Sequence, residues 1–187
     1  MRVVGVDPNP DMLAAAGGGA RISYVAGEAA ATGLADRSVR LATAAQAFHW
    51  FPLESTLREL SRILTGDGSC GVFWNDRTSS PFLDEYESLL REASVEYGRV
   101  PRPRETLARI EAHGGLRDFC RAEFPNVQQL DREGLRGRAF SSSYVAHGVA
   151  DPDGFRLRLD ELFDRYAEDG VVEFRYTSLV GRFGLDR

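Results

Sequence analysis

The sequence contains no lysine, because all 23 of its basic residues are arginine. A mechanism that needs a lysine Schiff base or a lysine general base is therefore excluded. Only two cysteines are present, Cys70 and Cys120, without the close Cys or His spacing of a zinc site and without a disulfide-rich pattern. We expect both to be buried, reduced and structural, and we predict no metal site.

Long apolar runs and an excess of positive charge are also missing. No apolar run approaches the ~20 residues that a membrane helix needs, and Met1 and Arg2 lead directly into a strand-like segment without an export signal. The net charge is −5 and the pI about 5.3, whereas a protein that binds phosphate backbones needs a basic surface. We therefore expect a cytoplasmic protein that binds neither membranes nor nucleic acid.

The length of 187 residues and the 43% of hydrophobic residues are ordinary for one globular domain. The first 75 residues alternate between strand-like and helix-like segments, which is typical of an α/β sheet with crossover helices. Gly66 and Gly68 are expected to form the turn into the fourth strand. The strands are predicted at Arg2–Val6, Ile22–Ala26, Val39–Ala44 and Ser69–Trp74, and the helices from Pro10, capped by Asn9, and over Pro52–Leu64.

The second half of the sequence is richer in helical periodicity. The apolar stripe of its first helix is typical of core packing, and Ser141–Ser143 looks like a polar break between elements. Helices are predicted over Pro81–Tyr97, Glu105–His113 and Pro152–Glu168, and strands over Phe119–Val127 and Val171–Val180.

Five segments together resemble one enzyme family. They are Val3–Leu13, Tyr24–Ala29, Ala44–Phe51, Leu57–Leu64 and Phe73–Arg77. In this order and spacing they look like a class I S-adenosylmethionine-dependent methyltransferase of the small-molecule type. The resemblance continues through Phe163-Asp164-Arg165 into the last strand, so it covers nearly the whole chain.

The resemblance implies an α/β fold, a Rossmann-like methyltransferase sheet with a helical cap and a closing antiparallel strand pair. One domain is expected over residues 1–187. Its Rossmann-like part would span residues 1–80, the helical cap 81–117, and the C-terminal helix and strand pair 118–187.

The resemblance also places S-adenosylmethionine at the ends of the first three strands. Asp7 ends a strand, where its carboxylate can accept two hydrogen bonds from ribose hydroxyls; alternatively, it is a carboxylate favoured by a nearby helix N-terminus. Glu28 and Ala29 would approach the adenine ring, although Glu28 can equally be an exposed turn residue. Gln46 follows the third strand, at the edge where ligands of open α/β sheets bind.

His49 lies just beyond that edge and is the candidate catalytic base. A neutral imidazole can accept a proton near pH 7, but the residue can equally be packed at a helix entrance. His113 and His147 are expected in exposed loops, with weaker claims. Tyr86 is the candidate partner that positions His49.

The substrate is expected to be a small molecule bound among aromatic rings. The helix from Pro81 follows a predicted strand closely enough to cover the carboxyl ends of the strands. The candidate substrate-binding residues are Trp50, Trp74 and Phe82.

One departure from the family concerns the first residues. The family has an earlier strand and a glycine-rich loop that holds the methionyl part of the cofactor, whereas this sequence starts at what resembles the family's second strand. Gly17–Gly19 cannot substitute, because it follows a helix. We expect an N-terminally truncated sheet with impaired or lost cofactor binding, and a homodimer or a complementing chain at the open sheet position.

Three functions remain open from the sequence. The first is a small-molecule methyltransferase. The second is an enzyme that kept the pocket and catalyses another reaction, such as a cyclase or isomerase of natural-product type. The third is a non-catalytic partner subunit, since fold alone does not decide function.

Overall fold

The structure is a computed structural model that describes residues 1–186. Helices and strands alternate along it in a mixed α/β arrangement. The strands are β1 (Val3–Asp7), β2 (Ile22–Ala26), β3 (Val39–Ala45), β4 (Leu64–Arg77), β5 (Leu116–Leu130) and β6 (Val172–Leu185). The helices are α1 (Pro10–Ala15), α2 (Leu53–Ile63), α3 (Pro81–Ala93), α4 (Pro103–Glu111), α5 (Arg132–Phe140), α6 (Ser143–Ala146) and α7 (Pro152–Tyr166).

The strands form two sheets. A two-stranded parallel sheet pairs β1 with β2, and a four-stranded sheet has the order β3-β4-β6-β5. β3 and β4 are parallel, whereas two contacts, from Thr78 to Arg175 and from Ser178 to Asn75, indicate that β6 runs opposite to β4. The α/β class predicted from the sequence is confirmed.

The chain divides into two compact units. Unit 1 comprises Met1–Phe73, Glu105–Arg121 and the end of β6 from Val180, and unit 2 comprises Trp74–Arg104 and Ala122–Leu179. The predicted organisation as one domain with three parts stays a prediction.

Helix α2 supplies much of the core of unit 1. Its apolar residues recur every three or four positions, so that Leu57, Leu60 and Ile63 share one face and are buried. Glu54 in the first turn and Arg62 in the last turn suit the helix dipole. The helix therefore forms where its periodicity predicts.

Unit 2 is built around an aromatic cluster. The ring of Phe174 on β6 meets Phe82 and Tyr86 of α3 edge-on, with centroids 5.4 and 5.0 Å apart, and Leu159 of α7 is fully buried in the same core. Such edge-on pairs add about 0.5–1.5 kcal/mol to the burial of apolar area. The apolar stripe of α3 is core packing, as its periodicity predicts.

Several sequence expectations need correction. Gly66 and Gly68 lie inside β4, where the pairing with β3 shifts register between Val39 and Leu41. They therefore form an irregularity within the strand. Cys70 is buried as expected, but Cys120 is exposed, like most residues of β5. Helices α5 and α6 were not predicted.

The outer edges of β1, β2 and β3 in unit 1 lack a neighbouring strand within the described part of the chain. β1 pairs only with β2, and β3 only with β4. Apolar side chains on these strands are correspondingly accessible, with Val4 43% and Leu41 57% exposed. Among residues 1–186, no helix has the length and apolar character that crossing a membrane requires.

Candidate functional site

The carboxyl ends of β1 and β2 lie side by side in unit 1. The two strands are in parallel register, with Asp7 opposite Ala26. Oδ1 of Asp7 accepts the backbone N–H of Asn9 at 2.8 Å, and the Asn9 side chain in turn accepts that of Asp11 and caps α1. Within residues 1–186 this leaves Oδ2 of Asp7 able to accept further hydrogen bonds.

A tight turn follows β2 at the same edge. The backbone groups of Glu28 and Ala31 bond each other reciprocally at 3.2 and 2.9 Å. At Gly27 a β-carbon would come within 3.0 Å of the Thr32 carbonyl oxygen and of a Val6 methyl group, so only glycine fits without a shift. Ala29 lies within the turn, and Glu28 is exposed.

A buried carboxylate holds the segment after this turn. Glu59 of α2 is 8% exposed and accepts both the N–H and the hydroxyl of Thr32, at 2.8 and 2.5 Å. Arg62 donates to both oxygens of Glu59 and also pairs with Asp36. Hydrogen bonds from Arg62, together with those from Thr32, lower the pKa of Glu59 to about 2.

The contact between Glu59 and Thr32 is not apparent from the sequence. The spacing of Glu59 and Arg62 on one helix could have suggested their ion pair. Nothing in the sequence points to Thr32, which lies 27 residues earlier.

The end of β3 turns sharply at Gln46. This residue has a φ of 52°, in the left-handed region that non-glycine residues seldom adopt. Its N–H donates to the carbonyl of Phe73 at 2.9 Å, and a 3₁₀ turn over Phe48–Trp50 follows. The buried Phe48 anchors the turn, so His49 and Trp50 lie just beyond the end of β3, an edge strand of its sheet.

His49 is half-buried beside an exposed indole. Its ring centroid lies 4.8 Å from that of Trp50, which is 58% exposed. Burial lowers the pKa of His49 below its ordinary value of 6.5. The imidazole is therefore mostly neutral at pH 7, the state in which it can accept a proton.

The other two histidines lie elsewhere. Nε2 of His113 lies 3.2 Å from Oε2 of Glu54, and its side chain is 25% exposed, so it is less accessible than expected. His147 is exposed, as expected.

The remaining candidates belong to unit 2. Trp74 is 1% exposed, Tyr86 1% and Phe82 6%. Burial raises the pKa of the Tyr86 hydroxyl. Contact of Trp74 and Phe82 with a substrate, and the pairing of Tyr86 with His49, stay predictions.

Comparisons with known proteins point in one direction. A family model described as a methyltransferase domain matches residues 1–72. An uncharacterized methyltransferase of Schizosaccharomyces pombe, C25B8.09, is 39% identical over 138 residues, which cover 73% of this chain and 54% of that protein. The chain thus spans about half or less of the curated relatives that it matches.

Two solved structures resemble the fold. A candidate type II methyltransferase from Anaeromyxobacter dehalogenans is 22% identical with a TM-score of 0.68, over 97% of this chain and 79% of that one. The [4+2]-cyclase SpnF is 13% identical with a TM-score of 0.54, over 100% of this chain and 68% of that one. Both likenesses concern the fold, and the Rossmann-like arrangement predicted from the sequence is confirmed.

Proposed function

We propose that this chain, which belongs to the class I S-adenosylmethionine-dependent methyltransferase family, serves methyl transfer from S-adenosylmethionine to a small molecule. The observation that carries the proposal is the common edge of β1 and β2, where Asp7 and the turn at Glu28 come together. Ligands of open α/β sheets bind at such carboxyl ends.

The residues at this edge fit the adenosine part of the cofactor. Oδ2 of Asp7 can accept a hydrogen bond from a ribose hydroxyl, since its other oxygen is engaged by the N–H of Asn9. Glu28 and Ala29 would approach the adenine ring, and Gln46 would approach from the end of β3. When bound, the cofactor supplies a sulfonium methyl group.

His49 would take the proton that the acceptor atom loses. Its lowered pKa keeps the imidazole neutral at physiological pH. Trp50 would present its exposed ring to the substrate. In this proposal the protein contributes mainly by positioning the acceptor atom.

The 187-residue polypeptide is proposed to bind S-adenosylmethionine weakly. Residues matching the family's glycine-rich loop do not occur within it, so the methionyl end would lack several hydrogen bonds to charged groups. Each such bond contributes ~1.5–3 kcal/mol, enough in sum to turn micromolar into undetectable affinity.

Native mass spectrometry with and without S-adenosylmethionine tests both proposals. Partial retention of one cofactor per chain at millimolar ligand, reduced further in Asp7→Asn, is the expected result. Retention at micromolar ligand would contradict weak binding, whereas equal retention by the Asp7→Asn variant would contradict the assigned ribose contact.

A second candidate is a cyclase or isomerase that uses the same pocket. Its support is the fold likeness to a [4+2]-cyclase. The two candidates differ in whether methyl groups are consumed, so incubating the protein with methyl-labelled S-adenosylmethionine and a panel of small molecules distinguishes them. Label transfer supports the methyltransferase, and isomerised product without label supports the alternative.

We also propose a cytoplasmic location. Both cysteines are free thiols in the structure, which suits a reducing compartment. Fractionation of cells that express the protein tests the location, and recovery outside the cytoplasmic fraction would contradict it.

A further inference from the structure

Unit 2 contains a guanidinium that is largely removed from water. The side chain of Arg77, at the end of β4, is 16% exposed. It donates to the Tyr97 hydroxyl at 2.5 Å and lies 5.6 Å from the ring centre of Tyr86. Its ion pair is with Glu87 at 3.2 Å, and Glu87 is shared with Arg91.

A second guanidinium approaches the same tyrosines. Nε of Arg138, on α5, donates to the Tyr176 hydroxyl at 3.5 Å, and Nη1 donates to the Ser142 hydroxyl at 3.3 Å. Both Arg77 and Arg138 interact electrostatically with the hydroxyls of Tyr86 and Tyr144. Among residues 1–186, no carboxylate lies within 4.0 Å of Arg138.

The charges of this cluster do not balance. Arg77 shares its one carboxylate, that of Glu87, with Arg91, whereas the partly buried Arg138 hydrogen-bonds only to hydroxyl groups. Removing a charge from water is unfavourable unless an opposite charge compensates it. The surroundings of Arg138 offer only hydroxyl groups, so an anion would complete the cluster.

The side chains around the two guanidiniums favour one kind of anion. The rings of Tyr97 and Tyr144 lie 5.0 Å apart, centre to centre, and give the cluster an apolar, aromatic surface suited to an organic anion. Burial raises the pKa of the Tyr97 hydroxyl, which therefore stays a neutral donor. A planar guanidinium fork matches the two oxygens of a carboxylate.

Another buried polar group lies nearby. The hydroxyl of Ser94 is buried without a hydrogen-bond partner. A β-carbon on Gly148 would come within 2.5 Å of that hydroxyl and 2.4 Å of the Tyr144 carbonyl oxygen. A side chain at position 148 would therefore collide with the backbone that carries Tyr144.

We propose that Arg77 and Arg138, with the tyrosine hydroxyls around them, bind the carboxylate group of a small organic acid. The inference goes beyond the proposed function and does not depend on it, because all of these residues belong to unit 2. Binding of the acid itself needs no cofactor and is measured separately.

The test is calorimetric titration of the full chain at pH 7 in chloride-free buffer without S-adenosylmethionine. The probes are acetate, succinate and benzoate, each compared with its neutral amide, and inorganic phosphate. We expect at least one carboxylate to bind 10-fold or more tightly than its amide. Equal affinities for all three pairs, or tighter binding of phosphate than of any carboxylate, would overturn the proposal.

Arg138→Gln identifies the site. Arg138 has no carboxylate partner among the described residues, so the substitution leaves no carboxylate without its ion pair. It should weaken carboxylate binding about 10-fold or more, as loss of a charge-assisted hydrogen bond does, and Arg138→Lys should retain part of the affinity. The matched control is Arg156→Gln, which removes an exposed arginine of α7. Equal affinities of Arg138→Gln and Arg156→Gln would refute the assignment.

The two proposals fail separately. Carboxylate binding that depends on Arg138, without any methyl transfer, would refute the methyltransferase proposal and leave this site standing. Methyl transfer by a protein that binds no carboxylate in preference to its amide would refute this site and leave the methyltransferase proposal standing. Circular dichroism of each variant verifies that the fold is intact.

Discussion

The role proposed for His49 depends both on its position in the chain and on its burial. The sequence shows a histidine just after a parallel strand. It does not show in which direction the pKa of this histidine is shifted, because the shift depends on the surrounding atoms. Half-burial lowers the pKa of His49, and this favours the neutral imidazole, which can accept a proton, over the charged imidazolium. If His49 is instead a residue packed at a helix entrance, replacing its ring should leave the turnover unchanged.

The first prediction concerns His49→Gln. If the imidazole is the base, turnover should fall by about 10²-fold or more, and kcat/KM of the wild type should rise with pH through a midpoint below 6.5, because burial lowers the pKa of His49. The control is His147→Gln, because His147 is exposed. Unchanged turnover of His49→Gln with an intact circular dichroism spectrum would leave His49 a packing residue.

At the scale of elements, the sequence predicts the strands and helices better than the connections. Ile22–Ala26 is found as predicted, since alternation and flanking glycines define it. The sequence does not predict helix α5, because Gly134 and Gly137 interrupt its helical pattern; Asp131 caps it by accepting the Gly134 N–H. The sequence predicts only Ser69–Trp74 of the longer β4, because glycines within a strand resemble a turn.

The second prediction concerns the contact between α2 and the segment at Thr32. Because the folded pKa of Glu59 is lowered to about 2 from 4.5, its stabilisation is present above pH 4.5 and is lost as the pH falls towards 2. Glu59→Gln should lower the free energy of unfolding on the order of 2–3 kcal/mol at pH 7. The difference from wild type should shrink towards pH 2.

Urea unfolding at pH 7 and pH 3 measures this effect. The matched control is Glu133→Gln, since Glu133 is 77% exposed and its ion pair with Arg136 lies at the surface. Such surface pairs contribute about 0–1 kcal/mol. A Glu59→Gln deficit that is the same at both pH values would contradict the role given to the carboxylate.

At the scale of the whole molecule, the open edges of β1 and β3 bear on assembly. Neither edge is paired within residues 1–186, and unpaired strand edges are templates for a further strand. The sequence predicts these edges only through its resemblance to a family, because no local pattern reveals what a strand's neighbour is. The partner of these edges stays a prediction.

The third prediction is that the 187-residue chain associates, as a homodimer or with a complementing chain. Sedimentation at micromolar concentration should show a species heavier than 20.7 kDa. Leu41→Lys adds a charge to an exposed position of β3 and should weaken the association, whereas Leu157→Lys, at an exposed position of α7, should not. A single well-folded 20.7 kDa species for the wild type would contradict it.

Because the two cysteines differ in exposure, the association of chains can be followed with a fluorescent label. Burial raises the pKa of the Cys70 thiol to about 12, so that group stays protonated and unreactive at neutral pH. Cys120 is exposed on β5. A maleimide dye should therefore add once per native chain, giving a singly labelled protein by intact mass, and Cys120→Ser should abolish the addition. The unmodified sequence thus offers one defined position for a fluorophore, from which subunit exchange can be observed by energy transfer.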